Sequence, residues 1–262
     1  MSFLPLPIVL FLVAHWSSSV FFQTFYLHRY GAHRMFTFAP GWERFFHACT
    51  YVTQGSSFLN PRGYAILHRM HHAFSDTEQD PHSPSVQKNP LTMMNRTRDI
   101  YRSINARTFP VEQRFDGGYP SWPALDAFGG RWMSSVLWAT VYTTFYFVFA
   151  TAPWQFLLLP IHFFMGPIHG AIVNWFGHWV GYRNFDQDDD SRNTLVFDFV
   201  TFGELFQNNH HRNGSNPNFA HRWFEVDPAW PLIKAFGWLG ILRFRSDEKR
   251  ARAEAELPVA AE

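Results

Sequence analysis

Three stretches of the chain are apolar and free of charge, and they set its predicted architecture. Residues 1–28 hold no Asp, Glu, Lys or Arg. Within them, Phe3 to Thr24 has the length needed to cross a bilayer, roughly 20 helical residues. A cleaved signal peptide is the competing reading. The basic leader residues are missing, however, and the apolar run continues straight to His28, so a retained helix is expected. Trp132 to Ala150 is a second uncharged run, closed by Pro153. Trp154 to Tyr182 is a third, with Pro160 and Pro167 as kink points that membrane helices tolerate. The few residues between the last two predict a helical hairpin.

All 22 Lys and Arg fall within 29–131 or after 182, and the 151–153 loop has none. The positive-inside rule then puts the N-terminus outside and both charged regions in the cytoplasm, with three transmembrane helices. Phe45 to Asn60 is also uncharged but, at 16 residues, short for a crossing. Crossing there would part His28 and His33 from His68, His71 and His72, so a shallow or in-plane helix is expected. Ala229–Phe244, rich in Trp, Leu, Ile and Phe, reads as interfacial. Residues 246–262 form a charged, Ala/Glu-rich tail. The predicted fold class is therefore all-α: an integral membrane helical protein of three transmembrane helices under a cytoplasmic helical cap. One domain spans 1–245, followed by the 246–262 tail.

Composition narrows the chemistry. A length of 262 residues suits one large domain, and a net charge of +1 offers no broad nucleic-acid surface. The sole cysteine, Cys49, excludes an internal disulfide, a cysteine zinc site and a self-contained iron–sulfur cluster. Aromatics at 19%, with 30 phenylalanines, suit a lipid-facing or lipid-binding protein. The mean hydropathy of −0.19 averages two unlike parts. The N-x-S/T triplets at Asn95 and Asn213 fall in the cytoplasmic part and are expected to be unmodified.

The 14 histidines are clustered. His28 and His33 stand five apart; His68, His71 and His72 form an H-x-x-H-H box; Gln207, His210 and His211 repeat its spacing. On a helix each box lies within a sector of about 100°, so its side chains converge. His28 and His33 are about 140° apart on a regular α-helix, which suits ligands of different metals or a helix ending between them. Imidazole is the ligand shared by zinc, copper, iron and nickel sites, and three clusters on one side of a membrane predict a metal centre. His178 and Asn174, one turn apart at the end of the third run, are candidates for the same site. His162 and His169 lie on another stripe and are expected to be interhelical hydrogen-bonders. His15, His47 and His221 stand alone and read as structural, and His82 reads as a loop residue in a turn-forming run. Among nearby carboxylates, Glu204 is expected to support a ligand; Asp76, Asp80 and Asp227 are expected to be solvated.

In order, HRYGAHR (28–34), HRMHHAFSDTEQDPHSP (68–84), NWFGH (174–178), GYRNFD (181–186), DSRN (from 190) and GELFQNNHH (to 211) resemble the membrane fatty acyl desaturases of the stearoyl-CoA (Δ9) type. The resemblance covers about residues 15–245. It implies a non-haem di-iron centre that uses O2 and two electrons to desaturate an acyl chain. By motif, one iron would take His28, His72, His178 and His211. The other would take His33, His68, His71 and His210, with Asn174 holding a water. The family has a histidine where this chain has Gln207, so Gln207 is placed in the metal's shell as a weaker donor. The animal enzymes carry a further helix before the first matched one. They also carry an Arg-Asp pair where Ile66 and Leu67 stand here, so acyl-CoA, an acyl carrier protein or an acyl lipid all remain as substrates.

The implied activity is O2-dependent desaturation of a fatty acyl chain. The alternatives are a hydroxylase of a hydrocarbon, sterol or carotenoid on the same scaffold, and a non-catalytic membrane metal-binding protein. The chain has no dinucleotide fingerprint, cysteine cluster or haem motif of its own. A separate ferredoxin, rubredoxin or cytochrome b5 is therefore expected as electron donor. The expected location is a bacterial inner membrane or the endoplasmic reticulum, with the site on the cytoplasmic face.

Overall fold

The computed structural model describes residues 4–245; the tail expected at 246–262 lies outside them. Helix α1 (Leu6–Phe22) starts after Pro5 and continues without a break as a π-helix over Gln23–Ala32. Among the described residues this 27-residue helix is the one long and apolar enough to cross a membrane unaided. Its backbone polar groups are satisfied internally, as a lipid setting requires. Leu6, Leu10 and Val13 are exposed along it, whereas Ile8 and His15 face protein.

The second apolar run forms α6 (Trp132–Phe149), which exposes Trp132, Val136, Phe147 and Val148. The third is not one helix. A 3₁₀ turn (Pro153–Leu158) leads into α7 (Leu159–Phe163), and α8 (Met165–Trp179) then departs at 69°. Proline explains both joints, because its ring clashes with the carbonyl four residues earlier. Pro167 bars a continuous α-helix through Phe163, and Pro160 does the same at Phe156. Taken together as one bent span, these pieces form a second crossing candidate.

Four more helices build the part nearest the histidines. They are α2 (Trp42–Gln54), α3 (Pro61–Phe74), α4 (Pro90–Asn105) and α5 (Pro123–Gly129). Two later ones are α9 (Gln207–Arg212) and α10 (Ala229–Trp238). The fold is mostly helical but not purely so. Strand β1 (Phe36–Phe38) pairs antiparallel with β2 (Leu242–Phe244), Phe36 opposite Phe244. This ribbon draws the expected interfacial stretch inward: Ala229, Ile233 and Leu242 join a core with Phe25, Phe36, Phe46 and Phe206. Trp238 and Leu239 remain exposed. Helix α2 stops at Gly55 (φ +52°), where a Cβ would sit 1.7 Å from the Tyr142 hydroxyl. The chain therefore turns back beneath α6, and the boxes on either side of this helix meet.

A second core, with Ile8, Tyr142, Tyr146 and Leu159, joins α1, α6 and α7. Here His162 is an interhelical hydrogen-bonder. Its Nδ1 lies 2.8 Å from His15 Nδ1, and its Nε2 is 3.0 Å from the Tyr146 hydroxyl. His15 is thus not isolated. Buried polar groups need such partners, and α1 and α7 supply them to each other. His47 binds Asp126 at 2.8 Å, tying α2 to α5.

Candidate metal centre

The second box rides on α3. Asn60 caps its start by accepting hydrogen bonds from the Arg62 and Gly63 N–H groups, and Pro61 occupies the first turn. His68, His71 and His72 therefore fall in its last two turns, on one face. The third box occupies α9, where Gln207, His210 and His211 turn the same way. The first box uses the π-helix. There the backbone bonds run i to i+5, and the His33 N–H donates to the His28 carbonyl at 3.0 Å. Residues five apart are brought nearly one above the other, and the two rings lie 4.9 Å apart. The 140° separation expected on an α-helix does not occur.

Five imidazoles then close on one point. His33 Nε2 is 2.8 Å from His68 Nε2, which is 3.0 Å from His72 Nε2. His72 Nε2 is 2.9 Å from His210 Nε2, and that atom is 3.0 Å from His28 Nε2. His71, His178 and His211 form an adjoining group, with His71 Nε2 3.2 Å from His211 Nε2. By distance, His28 stands with His33, His68, His72 and His210, and His71 with His178 and His211, whereas the implied four-and-four division sets His28 and His72 with His178 and His211. The ring of His72, 4.5 Å from that of His211, links the two groups.

The carboxylates behind the rings decide which nitrogen faces inward. His28 Nδ1 lies 2.7 Å from Glu204, His71 Nδ1 2.8 Å from Asp80, His178 Nδ1 2.9 Å from Asp76 and His211 Nδ1 2.7 Å from Asp189. A carboxylate only accepts, so each Nδ1 donates its hydrogen and each Nε2 turns a lone pair inward. His178 Nε2 is buried with no hydrogen-bond partner. Lone pairs crowded at about 3 Å suit a cation, since adjacent nitrogens around a metal at 2.0–2.1 Å stand about that far apart. The residues present fit a metal.

The electrostatics agree. Burial, reinforced by the neighbouring rings, holds His33, His68, His72 and His210 well below the usual histidine range, in the neutral form that ligates. Burial lowers His211 to about 4 despite Asp189. Burial would also lower His71, but the Asp80 charge and hydrogen bond, joined by the charges of Asp76 and Asp189, together outweigh it and raise that pKa. Burial opposes ionisation of Asp76, Asp80 and Asp189. Their histidine partners and further hydrogen bonds nonetheless hold all three well below the carboxylate range. Burial pushes Glu204 up against the pull of Arg29, 3.4 Å away.

The fatty acid desaturase family model matches residues 2–242. The chain belongs to the fatty acid desaturase family. It is similar to the sn-1 stearoyl-lipid 9-desaturase of Synechocystis sp., at 30% identity over 82% of this chain and 64% of that protein. It is similar also to the Delta-9 desaturase-like 4 protein of Arabidopsis thaliana, at 27% identity over 83% and 69% of the two chains. A third relative is the hex-5-enoyl-[acyl-carrier protein] acetylenase of Moorena producens, at 23% identity over 88% and 74%. The protein is an oxidoreductase of lipid metabolism, and its histidine clusters are the metal-binding feature such enzymes need.

In this desaturase an apolar cavity of about 670 Å³ runs against the centre. His68, His71 and His82 line it, as do Leu59, Leu67, Met94, Phe164 and Val173. Asn174 and Gln207 also face it, and the Gln207 amide N–H donates to the Glu204 carbonyl at 2.7 Å. His169, expected to bond between helices, lines the cavity instead. Ile66 is fully buried in a core with Met70, Ile104 and Phe115.

Three acidic residues expected in solvent are not there. Asp80 is buried behind His71, Asp76 stands behind His178, and Asp227 forms a fully buried pair with Arg29 at 2.7 Å. Asp189, behind His211, escaped sequence reasoning altogether; its place inside the 181–193 motif cluster was the available signal. His82 does sit in a loop, but buried, with its ring 4.4 Å from that of His71.

Proposed function

We propose that this desaturase introduces a C=C bond into a fatty acyl chain at a di-iron centre held by His28, His33, His68, His71, His72, His178, His210 and His211, with Asn174 and Gln207 beside them. The acyl –CH2–CH2– unit loses two hydrogens, and O2 takes up these, two electrons and two further protons to leave as water. Iron bound at the centre supplies the O2-dependent oxidising power that an unactivated C–H bond demands and that side chains lack. The protein does the rest. The imidazoles hold the metals without adding negative charge, and the carboxylates behind them fix each ring's tautomer and direction. The apolar cavity sheathes the acyl chain and excludes water. One observation carries this reading above the others: eight imidazoles, four tied back by carboxylates, converge beside a hydrocarbon-lined cavity.

The substrate is acyl-CoA, an acyl carrier protein thioester or an acyl lipid, and two relatives' names speak of lipid and carrier-protein substrates. Electrons come from a separate ferredoxin, rubredoxin or cytochrome b5 on the cytoplasmic face. Three crossings carry the chain: α1, α6 and the bent α7–α8 pair. Expression in a host lacking unsaturated lipids, followed by lipid mass spectrometry with double-bond localisation, tests the reaction. An alkene is expected; an alcohol at the same carbon means hydroxylation instead. Metal analysis tests the centre. His72→Ala and His211→Ala should lower iron content and abolish turnover, whereas His162→Ala keeps iron near wild type. One zinc and no iron in the wild type would sink the di-iron centre.

A further inference from the structure

The segment Leu195–Val200 lies in the region that the charge map assigns to the cytoplasm, yet its outer face is hydrocarbon. Leu195, Val196, Phe197, Phe199 and Val200 are all exposed, Phe199 to 65%. The one acidic residue among them, Asp198, is turned inward and fully buried. Its carboxylate accepts hydrogen bonds from the Thr201, Gly203 and Leu205 N–H groups and from the Thr201 hydroxyl. A backbone bridge sets Phe197 against Val226. A contiguous apolar patch of this kind marks an interaction surface.

Its neighbours identify what it meets. Trp16 of α1 donates its indole N–H to the Val200 carbonyl at 2.8 Å. Thr194 donates its hydroxyl to the Val180 carbonyl, at the end of α8, at 2.9 Å. The segment is thus wedged between the two crossing candidates. The exposed apolar face of α1 leads up to Trp16 and ends there, at the kind of level where Trp settles between hydrocarbon and water. The segment's own backbone is partly satisfied, with the Val196 carbonyl accepting from the Val226 N–H at 2.9 Å. That lowers the cost of contact with lipid.

We propose that Leu195–Val200 is a membrane anchor, seated in the lipid interface between α1 and α8 and fixing the height of the following residues, Glu204 to His211, above the bilayer. This rests on the reading that α1 crosses the membrane. The test uses the full chain in a Cys49→Ser background, reconstituted in phosphatidylcholine vesicles with iron content checked. Single nitroxide labels are placed at Phe197→Cys, Phe199→Cys, Leu10→Cys on α1 and Asp99→Cys on the polar face of α4. Power saturation then compares collisions with O2 and with a water-soluble nickel chelate. The O2-to-nickel ratio at Phe197→Cys and Phe199→Cys should exceed that at Asp99→Cys several-fold and approach that at Leu10→Cys. A ratio matching Asp99→Cys, with Leu10→Cys still in lipid, overturns the anchor and leaves the crossing standing. A water-accessible Leu10→Cys overturns both.

Discussion

Asp189 holds the Nδ1 hydrogen of His211 while accepting from the Ser191 N–H and hydroxyl, so it would act on a bound metal only through the ring it orients. Asp189→Ala should leave the fold intact, because the side chain is partly exposed. It should cost about 10–100-fold in iron affinity. Chelator competition reads this directly, and an unchanged affinity would show that His211 needs no support. Gln207 poses a different question. Its amide N–H is committed to the Glu204 carbonyl, which turns the amide oxygen elsewhere. Gln207→His should retain iron and some turnover, whereas Gln207→Leu keeps the volume and removes the donor oxygen. Full activity in Gln207→Leu would reduce Gln207 to packing. At this scale the histidines were legible because three of their clusters repeat ligand spacings. The aspartates were not: their role depends on which loop folds behind which ring, and local composition marks a buried Asp80 and a solvated one alike.

The elements that carry these residues impose their own demands. Helices α8 and α9 cross where Gly177 faces Gln207; a Cβ there would lie 2.5 Å from Gln207 Cγ and 3.3 Å from its Cβ. Gly177→Ala should therefore push α9 away from His178 and lower both thermal stability and iron content. Overpacking of this kind costs about 1–3 kcal/mol. Adding Gln207→Ala removes the clashing atom and should restore most of the thermal stability, the readout that the lost amide oxygen does not touch. Wild-type iron in Gly177→Ala alone would mean that the crossing is loose. Periodicity could place α3 and α9, since their boxes share a helical face. It could not foresee the π-helix, because an i to i+5 ladder leaves no apolar signature; only the odd five-residue spacing of His28 and His33 hinted at it. Nor could it foresee the break at Phe164. Two prolines in a long apolar run signal a kink, but not its size: the 69° bend opens at the one break between Phe163 and Met165.

Over the whole molecule, charge and apolar exposure argue for the same arrangement. The exposed faces of α1 and α6 carry no charge, and the 151–153 loop between α6 and the 3₁₀ turn carries no Lys or Arg. The histidine centre lies at the opposite end of the long helix from Leu6, beyond Gln23. Its histidines, from His28 to His211, meet in one place, so any arrangement in a membrane has to keep all the boxes on one side. If three crossings hold, Thr151 faces the outside and Asp188, exposed beside the centre, faces the cytoplasm. In the Cys49→Ser background, a membrane-impermeant maleimide should label Thr151→Cys in intact cells. It should reach Asp188→Cys only after the membrane is opened. The reverse order would place the metal centre outside, away from cytoplasmic electron carriers. Labelling of both in intact cells would mean that α6 and the α7–α8 pair do not cross as a hairpin, since the two probes would then share a side.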